Sequence, residues 1–305
     1  MTRVAIAADD QQLERALTAA VESGGGLPVL LDAEPTALVA AIAPNAVAEA
    51  LAAAPSIRWV QLGAAGIDGY TAAGVIDPGL TWTSAKGAYA RPVAEHALAL
   101  TLSALRHFPA RARATAWAEQ SGRSLHGLHV AVIGGGGIGA EVVRLLSVFD
   151  VRVTVVRRAV HEVPGADRVV GFDRLDDVLP DADVVIVAAA LTPETLGMFD
   201  GRRLRLLKSS AVLVNVARGA LIDTDALVAV LDAGLLGAVG LDVTDPEPLP
   251  TGHPLWSDDR VLITPHTADT PTMIRVMLAE RVAQNVQRWR LGEPLIGVVD
   301  PVRGY

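Results

Sequence analysis

The chain has 305 residues, 51% of them hydrophobic, and a formal net charge of −8. This length allows two domains with sizeable cores, while the acidic balance argues against a nucleic-acid surface and a polybasic membrane anchor. The absence of cysteine excludes disulfides, thiolate catalysis and cysteine-ligated metals. Neither a signal peptide nor an apolar stretch of membrane-spanning length is recognisable, so we expect a cytoplasmic protein.

Short apolar runs alternate with helical patterns over the first part of the chain. We interpret Ser23 and the glycines at 24–26 as the end of a helix, because glycine readily takes the left-handed conformation of a helix C-cap. The alternation predicts a parallel sheet with helices on both faces. The predicted strands are 4–7, 29–31, 38–42, 59–62 and 80–83, and the predicted helices are 11–22, 46–53 and 69–73.

The second part of the chain continues in the same way, after one long predicted helix over 92–113. Strands are predicted at 130–133, 151–156, 184–188, 212–216, 237–241 and 261–263, and helices at 140–148, 200–207, 223–233 and 272–291. The fold class is therefore α/β, with two doubly wound parallel-sheet domains of Rossmann-like or flavodoxin-like type. We expect residues 1–98 with 272–305 to form a substrate-binding, catalytic domain and residues 99–271 to form a dinucleotide-binding domain.

A glycine turn joins one of these strands to the helix that follows it. Gly134, Gly136 and Gly139 have the spacing G-x-G-x-x-G, which permits a tight turn, close approach of a pyrophosphate and close helix–strand packing. The helix N-terminus offers free N–H groups to phosphates. A glycine-rich turn without a ligand is the alternative, but the strand–turn–helix context favours a dinucleotide site that includes Gly137 and Ile138.

The residue after the next strand distinguishes the two nicotinamide cofactors. NAD-preferring folds have an acidic residue there, which binds the ribose 2′-hydroxyl, whereas this chain has Arg157 followed by Arg158. Because a guanidinium group suits a 2′-phosphate, we expect both arginines to bind that phosphate and NADPH to be preferred, with NAD also possible. A solvated pair of arginines at a strand end is the alternative interpretation.

Arg218, Glu247 and His266 lie just past three predicted strands. In open α/β sheets the ligand crevice lies at the carboxyl ends of the strands. The three side chains are therefore expected to converge beside the nicotinamide.

Several further motifs accompany the glycine turn. They are A-G-x-D at 65–68, V-A-E-H at 93–96, L-T-P-E-T at 191–195, V-N-x-A-R-G at 214–219, D-V-x-x-x-E-P at 242–248 and T-P-H at 264–266. In this order and spacing they resemble the D-isomer-specific 2-hydroxyacid dehydrogenases. Trp256 adds a resemblance to the glyoxylate and hydroxypyruvate reductase branch. The resemblance implies an active site in the cleft between two domains and a homodimer formed through the cofactor domain.

The resemblance implies an oxidoreductase that reduces a small 2-oxo acid, such as glyoxylate or hydroxypyruvate, to its D-2-hydroxy acid with hydride from NADPH. In the family's roles, His266 is the proton donor, and a histidine titrates near neutrality. Glu247 favours the charged imidazolium by its opposite charge. Arg218 binds the substrate carboxylate and polarises its carbonyl.

Substrate-binding residues follow from the same resemblance. The backbone amides of Ala64, Ala65 and Gly66 correspond to the family's carboxylate-binding loop. Lys86 does not follow from the resemblance but from its charge: it lies in the same loop as Tyr89 and is a candidate cation for an anionic substrate, with a solvated loop cation as the alternative. Tyr89 stands where many family members have asparagine, so the pocket is expected to differ in volume and in donor geometry.

Thr192, Ala217 and Asp242 complete the implied cofactor site, with Asp242 beside the nicotinamide. His96 is interpreted as a structural residue. No metal site is predicted, because the other histidines have no paired acid at ligand spacing. Two alternative functions remain open: an NAD-dependent D-2-hydroxyacid dehydrogenase for a bulkier acid, and a non-catalytic dinucleotide-sensing protein similar to a corepressor.

Overall fold

A computed structural model of the protein describes residues 2–117 and 119–300. The chain forms two compact units, which separate between Tyr89 and Ala90 and between Asp269 and Thr270. We call the outer segments together the first unit and residues 90–269 the second unit. The predicted domains have their boundaries after residues 98 and 271 instead, and the assignment of substrate and cofactor to the two domains stays a prediction.

The first unit contains a five-stranded sheet with the order β2-β1-β3-β4-β5, in which all neighbours are parallel. Its strands are β1 (Arg3–Ala8), β2 (Leu27–Val29), β3 (Ala37–Ala41), β4 (Trp59–Leu62) and β5 (Thr81–Thr83), and its helices are α1 (Gln11–Ser23), α2 (Pro44–Ala53), α3 (Asp68–Ala72) and α10 (Pro271–Leu291). Strands β3 and β4 are almost entirely buried and apolar, as expected for parallel strands covered on both faces.

The glycines that follow α1 allow this helix to pack closely on α10. A Cβ atom on Gly24 would lie 2.6 Å from the carbonyl oxygen of Ala283, and Gly25 has φ 79°. The glycines therefore end the first helix and also leave room for the backbone of the last one.

No helix within residues 2–117 and 119–300 is both long enough and apolar enough to span a membrane.

The second unit contains a seven-stranded parallel sheet with the order β12-β11-β10-β9-β6-β7-β8. Its strands are β6 (His129–Ile133), β7 (Arg152–Val156), β8 (Arg168–Val170), β9 (Val184–Val187), β10 (Val212–Asn215), β11 (Ala238–Leu241) and β12 (Val261–Ile263). Its helices are α4 (Ala90–Leu105), α5 (Phe108–Arg113), α6 (Gly137–Leu146), α7 (Leu175–Val178), α8 (Gly201–Leu204) and α9 (Thr224–Asp232). Two parallel-sheet α/β units confirm the predicted fold class.

The single helix predicted over 92–113 is wrong, because two helices occupy this stretch. Helix α4 ends at Leu105, and His107 takes the left-handed conformation with φ 54° before α5 begins. Pro109 explains the break: it has no N–H to donate to the carbonyl of Leu105, and its ring would clash with that carbonyl in a continuous helix.

Candidate active site

The turn between β6 and α6 accepts only glycine at two of its positions. Gly134 has φ 108°, and a Cβ atom there would lie 2.5 Å from the carbonyl oxygen of Ala188. A Cβ atom on Gly139 would lie 1.8 Å from the carbonyl oxygen of Gly134 itself. The first and third glycines therefore allow the tight turn and the close approach of helix to strand.

Gly136 is different, because the space in front of it is open. No heavy atom lies within 4 Å of the position that its Cβ would take, and the residue is the N-cap of the ten-residue helix α6. The first turn of this helix includes Gly137, Ile138 and Gly139, whose N–H groups have no acceptor within the helix. An open glycine beside these donors fits the pyrophosphate of a dinucleotide.

Arg157 lies directly after β7 and against the glycine turn. The backbone N–H of Arg157 donates to the carbonyl of Val170 at 2.9 Å. A Cβ atom on Gly135 would lie 3.0 Å from Cδ and 3.2 Å from Nε of Arg157. Burial lowers the pKa of Arg157. The arginine side chain therefore lies along the turn that would hold the phosphates.

Arg158 is held by the L-T-P-E-T turn. Its Nε donates to Oε2 of Glu194 at 2.7 Å, and its Nη2 donates to Oγ1 of Thr192 at 3.3 Å. The structure thus brings Arg158 and Thr192 into contact. Glu194 was not among the predicted site residues, and its charge partly neutralises that of Arg158.

His266 and Glu247 are hydrogen-bonded to each other at the predicted acid–base centre. The distance between Nδ1 of the histidine and Oε1 of the glutamate is 2.7 Å, and both side chains are roughly half exposed. A carboxylate at Nδ1 leaves Nε2 of a charged imidazolium free to donate a proton. His266 also has φ 48°, a conformation that is uncommon for residues other than glycine.

Arg218 follows β10 in a turn that is fixed by a buried asparagine. Asn215 is fully buried, donates from Nδ2 to the carbonyl of Arg218 at 2.9 Å, and accepts at Oδ1 from the N–H of Ala217 at 3.0 Å. A Cβ atom on Gly219 would lie 1.9 Å from the carbonyl oxygen of Thr244. The turn that holds Arg218 and Ala217 therefore packs directly on the segment after β11.

Asp242 is a buried carboxylate whose oxygens accept hydrogen bonds from within the second unit. Oδ1 accepts from Oγ1 of Thr264 at 2.6 Å and from the N–H of Thr267 at 2.9 Å, and Oδ2 accepts from the N–H of Ala268 at 3.1 Å. Against the effect of burial, hydrogen bonds from His96, Thr264 and this backbone lower the pKa of Asp242 to about 2.

Asp269 is an acidic residue near this centre that the sequence patterns did not single out. Burial raises its pKa, the charge of Asp242 raises it further, and the charges of His266 and Arg218 lower it. Asp269 is therefore close enough to Asp242, His266 and Arg218 for their charges to affect its pKa. Asp269 lies outside every motif quoted above, so no signal in the sequence identified it.

The predicted substrate residues belong to the first unit and lie in two loops that are bonded to each other. The loop after β4 contains Ala64, whose carbonyl accepts from the N–H of Ala85 at 2.9 Å. Tyr89 is buried, and its hydroxyl donates to the carbonyl of Gly63 at 2.6 Å. The next loop is held by Arg281, whose Nη1 donates to the carbonyl of Lys86 at 2.8 Å. Ala65 and Gly66 continue the first of these loops and are half-buried.

No group of three or more histidine, aspartate or glutamate side chains suited to a metal ion occurs among the residues that the structure describes.

Residues 97–268 match the family model described as D-isomer specific 2-hydroxyacid dehydrogenase, NAD binding domain. The chain belongs to the D-isomer-specific 2-hydroxyacid dehydrogenases. This confirms the family predicted from the sequence motifs. The protein is therefore an NAD(P)-dependent dehydrogenase, with a nicotinamide dinucleotide as its cofactor.

Relatives of this dehydrogenase include a glyoxylate reductase from Pyrococcus furiosus, 31% identical over 269 residues that cover 84% of this chain and 80% of the relative. An uncharacterized protein from Corynebacterium melassecola is 40% identical over 256 residues, which cover 82% of this chain and 84% of the relative. A crystal structure of a D-isomer specific 2-hydroxyacid dehydrogenase from Xanthobacter autotrophicus, in complex with NADPH and MES, has a TM-score of 0.87 and 30% identity. That similarity covers 100% of this dehydrogenase and 99% of the Xanthobacter chain.

Proposed function

We propose that this dehydrogenase reduces a small 2-oxo acid, of the glyoxylate or hydroxypyruvate class, to its D-2-hydroxy acid with NADPH. The main observation behind this proposal is the pair formed by His266 and Glu247, with 2.7 Å between Nδ1 and Oε1. Such a pair suits proton transfer to an alkoxide as it forms. The glyoxylate reductase among the relatives supports the class of substrate.

The roles of the side chains follow from their chemistry. The dinucleotide, when bound, supplies the hydride. His266 donates a proton from Nε2 to the carbonyl oxygen of the substrate, and Glu247 stabilises the charged imidazolium. Arg218 binds the carboxylate of the substrate and polarises its carbonyl group, since a guanidinium stays charged at all relevant pH values.

The substrate loops of the first unit supply the remaining contacts. Backbone amides of Ala64, Ala65 and Gly66 bind the carboxylate, and Lys86 adds positive charge. The hydroxyl of Tyr89 already donates to the carbonyl of Gly63, so this tyrosine shapes the pocket through its ring.

The preference for NADPH rests on Arg157 and Arg158. A 2′-phosphate is the group that distinguishes NADPH from NADH, and the stem of Arg157 lies against the glycine turn at Gly135. Arg158, whose Nη2 donates to Oγ1 of Thr192, is the second candidate ligand of this phosphate. The Xanthobacter structure, which contains NADPH, supports the same choice.

Steady-state assays at the nicotinamide absorbance band test the proposal. Glyoxylate, hydroxypyruvate, pyruvate and phenylpyruvate are each assayed with NADPH and with NADH. The variant His266→Gln, which lacks the proposed proton donor, is assayed in the same way. We expect the highest kcat/KM with a two- or three-carbon acid and NADPH, and a large loss in the variant. Faster turnover of phenylpyruvate with NADH would favour the bulkier-acid alternative. Dinucleotide binding without turnover of any acid would favour the corepressor-like sensor.

We also infer a homodimer formed through the second unit. Phe108 and Trp117 are 57% and 96% exposed there, and large exposed aromatic side chains are typical of protein interfaces. Light scattering after size-exclusion chromatography is expected to give twice the mass of one chain, and the variant Trp117→Ser is expected to shift the protein toward the monomer. A monomeric wild-type protein would contradict this inference.

A further inference from the structure

Among the described residues, one hydrogen-bond donor to the carboxylate of Asp242 comes from outside the loop after β12. Thr264, Thr267 and Ala268, which donate to this carboxylate, all belong to the short loop that contains His266. The fourth donor is His96, which lies in α4, and its Nε2 is 3.2 Å from Oδ1 of Asp242. His96 thus joins the helix to the carboxylate that organises the loop.

The positions of the hydrogens in this group follow from the distances. Oγ1 of Thr264 is 2.6 Å from Oδ1 of Asp242, and an ionised carboxylate can only accept, so the hydroxyl donates to it. The oxygen of Thr264 is then free to accept from Nε2 of His96, which is 2.9 Å away. Nε2 of His96 therefore bears a hydrogen, which it directs at both oxygens.

Asp242 also binds the backbone of His266, the proposed proton donor. The N–H of His266 donates to the carbonyl of Asp242 at 2.8 Å, while its φ of 48° is uncommon for a residue with a side chain. Such a conformation persists only where the surroundings fix it. If the carboxylate of Asp242 rotated, the bonds from Thr267 and Ala268 would loosen and His266 would lose its support.

We propose that His96 is a positioning residue for the proton donor: by holding Asp242, it keeps the loop of His266 in the conformation that the reaction needs. This role depends on the proposed function as far as the chemical step is concerned. The effect on the loop itself does not depend on it, so the two can be tested apart.

The test compares three variants of the full-length protein. His96→Ala removes the donor, and His96→Gln restores one, because glutamine can place an N–H close to where Nε2 of histidine lies. His129→Gln is the matched control, since His129 also lies in the second unit and its Nε2 is also 2.9 Å from a threonine hydroxyl, that of Thr154. It has no contact with Asp242 in the structure's described hydrogen bonds.

Two measurements are made on each variant. The first is kcat and KM for the best 2-oxo acid, corrected for the folded fraction. We expect His96→Ala to lower kcat about 10- to 100-fold, since small displacements of a catalytic group cost this much, with KM changed by less than about threefold. We expect His96→Gln to recover most of kcat and His129→Gln to retain it.

The second measurement is hydrogen–deuterium exchange of residues 264–268, which needs no turnover. We expect faster exchange in His96→Ala only. If the alanine variant matches the His129→Gln control in both kcat and exchange, the inference is wrong. If wild-type protein turns over no 2-oxo acid, the proposed function fails, and the exchange data alone decide whether His96 holds the loop.

Discussion

Replacing Arg157 by methionine tests the cofactor preference most directly. Methionine keeps an unbranched apolar stem to pack beside Gly135, where Cδ of the arginine now lies, and removes only the guanidinium. The glycine turn itself should be unaffected. Binding of NADH, which has no 2′-phosphate, therefore serves as an internal control for damage to the turn.

The expected magnitude differs between the two arginines. A hydrogen bond between charged groups contributes about 1.5–3 kcal/mol, so we expect Arg157→Met to weaken NADPH binding about 10- to 150-fold. Arg158 already donates to Glu194 at 2.7 Å and is partly exposed, so its charge is partly neutralised. Exposed charge pairs contribute about 0.2–1 kcal/mol, so we expect Arg158→Met to weaken NADPH binding only about two- to fivefold.

Fluorescence titration of both cofactors, at one fixed ionic strength, measures these changes. We expect the Kd of NADPH to rise in Arg157→Met while that of NADH stays within about twofold. In a second series at higher salt, the Kd of NADPH should differ less between wild type and Arg157→Met, because ions screen an exposed phosphate contact. If Arg157→Met weakens both cofactors by the same factor, Arg157 does not recognise the 2′-phosphate and the argument for NADPH fails.

The other predictions concern the acid–base centre and the glycine turn. His266→Gln should lower kcat for the reduction about 100- to 10,000-fold, the usual contribution of a positioned acid, with the fold unchanged by circular dichroism. The depressed pKa of Asp242, about 2 against an ordinary 3.8, should contribute about 2 kcal/mol of stability above pH 4 that disappears as the pH falls toward 2. The free energy of unfolding, measured in urea, should therefore differ less between wild type and Asp242→Asn at pH 3 than at pH 7. A difference that stays constant over this range would contradict the prediction. Gly139→Ala should abolish NADPH binding in the same titration, because its Cβ would lie 1.8 Å from the carbonyl oxygen of Gly134.

The features that the sequence predicts well are local ones. Buried parallel strands are short apolar runs, and the glycine turn is a pattern of six residues, so neither depends on distant parts of the chain. Strand β8 was not predicted from the sequence. It has only three residues, with an arginine first, and such a segment is too short to show a hydrophobic periodicity. The break before α5 was signalled by Pro109 and was still missed, because the apolar spacing continues across it.

The pairings that shape the candidate site are not local. Arg158 and Glu194 are 36 positions apart in the chain, and the bond between His96 and Thr264 spans 168 positions. No periodicity of hydrophobic residues indicates such partners. His96 was interpreted as structural from its place in a helix, and only the folded chain shows that its partner belongs to the loop of His266.

The second unit places the three proposed catalytic residues after neighbouring strands, in the order β10, β11 and β12. The segments between them are tightly constrained: Gly219 leaves no room against the carbonyl of Thr244, and the carboxylate of Asp242 accepts from three residues of one loop. A change in these segments disturbs the geometry of proton transfer for every substrate alike. The loops after β4 and β5, which contain the proposed substrate-binding residues, belong to the first unit. Substitutions that change which 2-oxo acid is reduced should therefore fall in those loops, whereas substitutions in residues 242–268 should change the rate with all acids together.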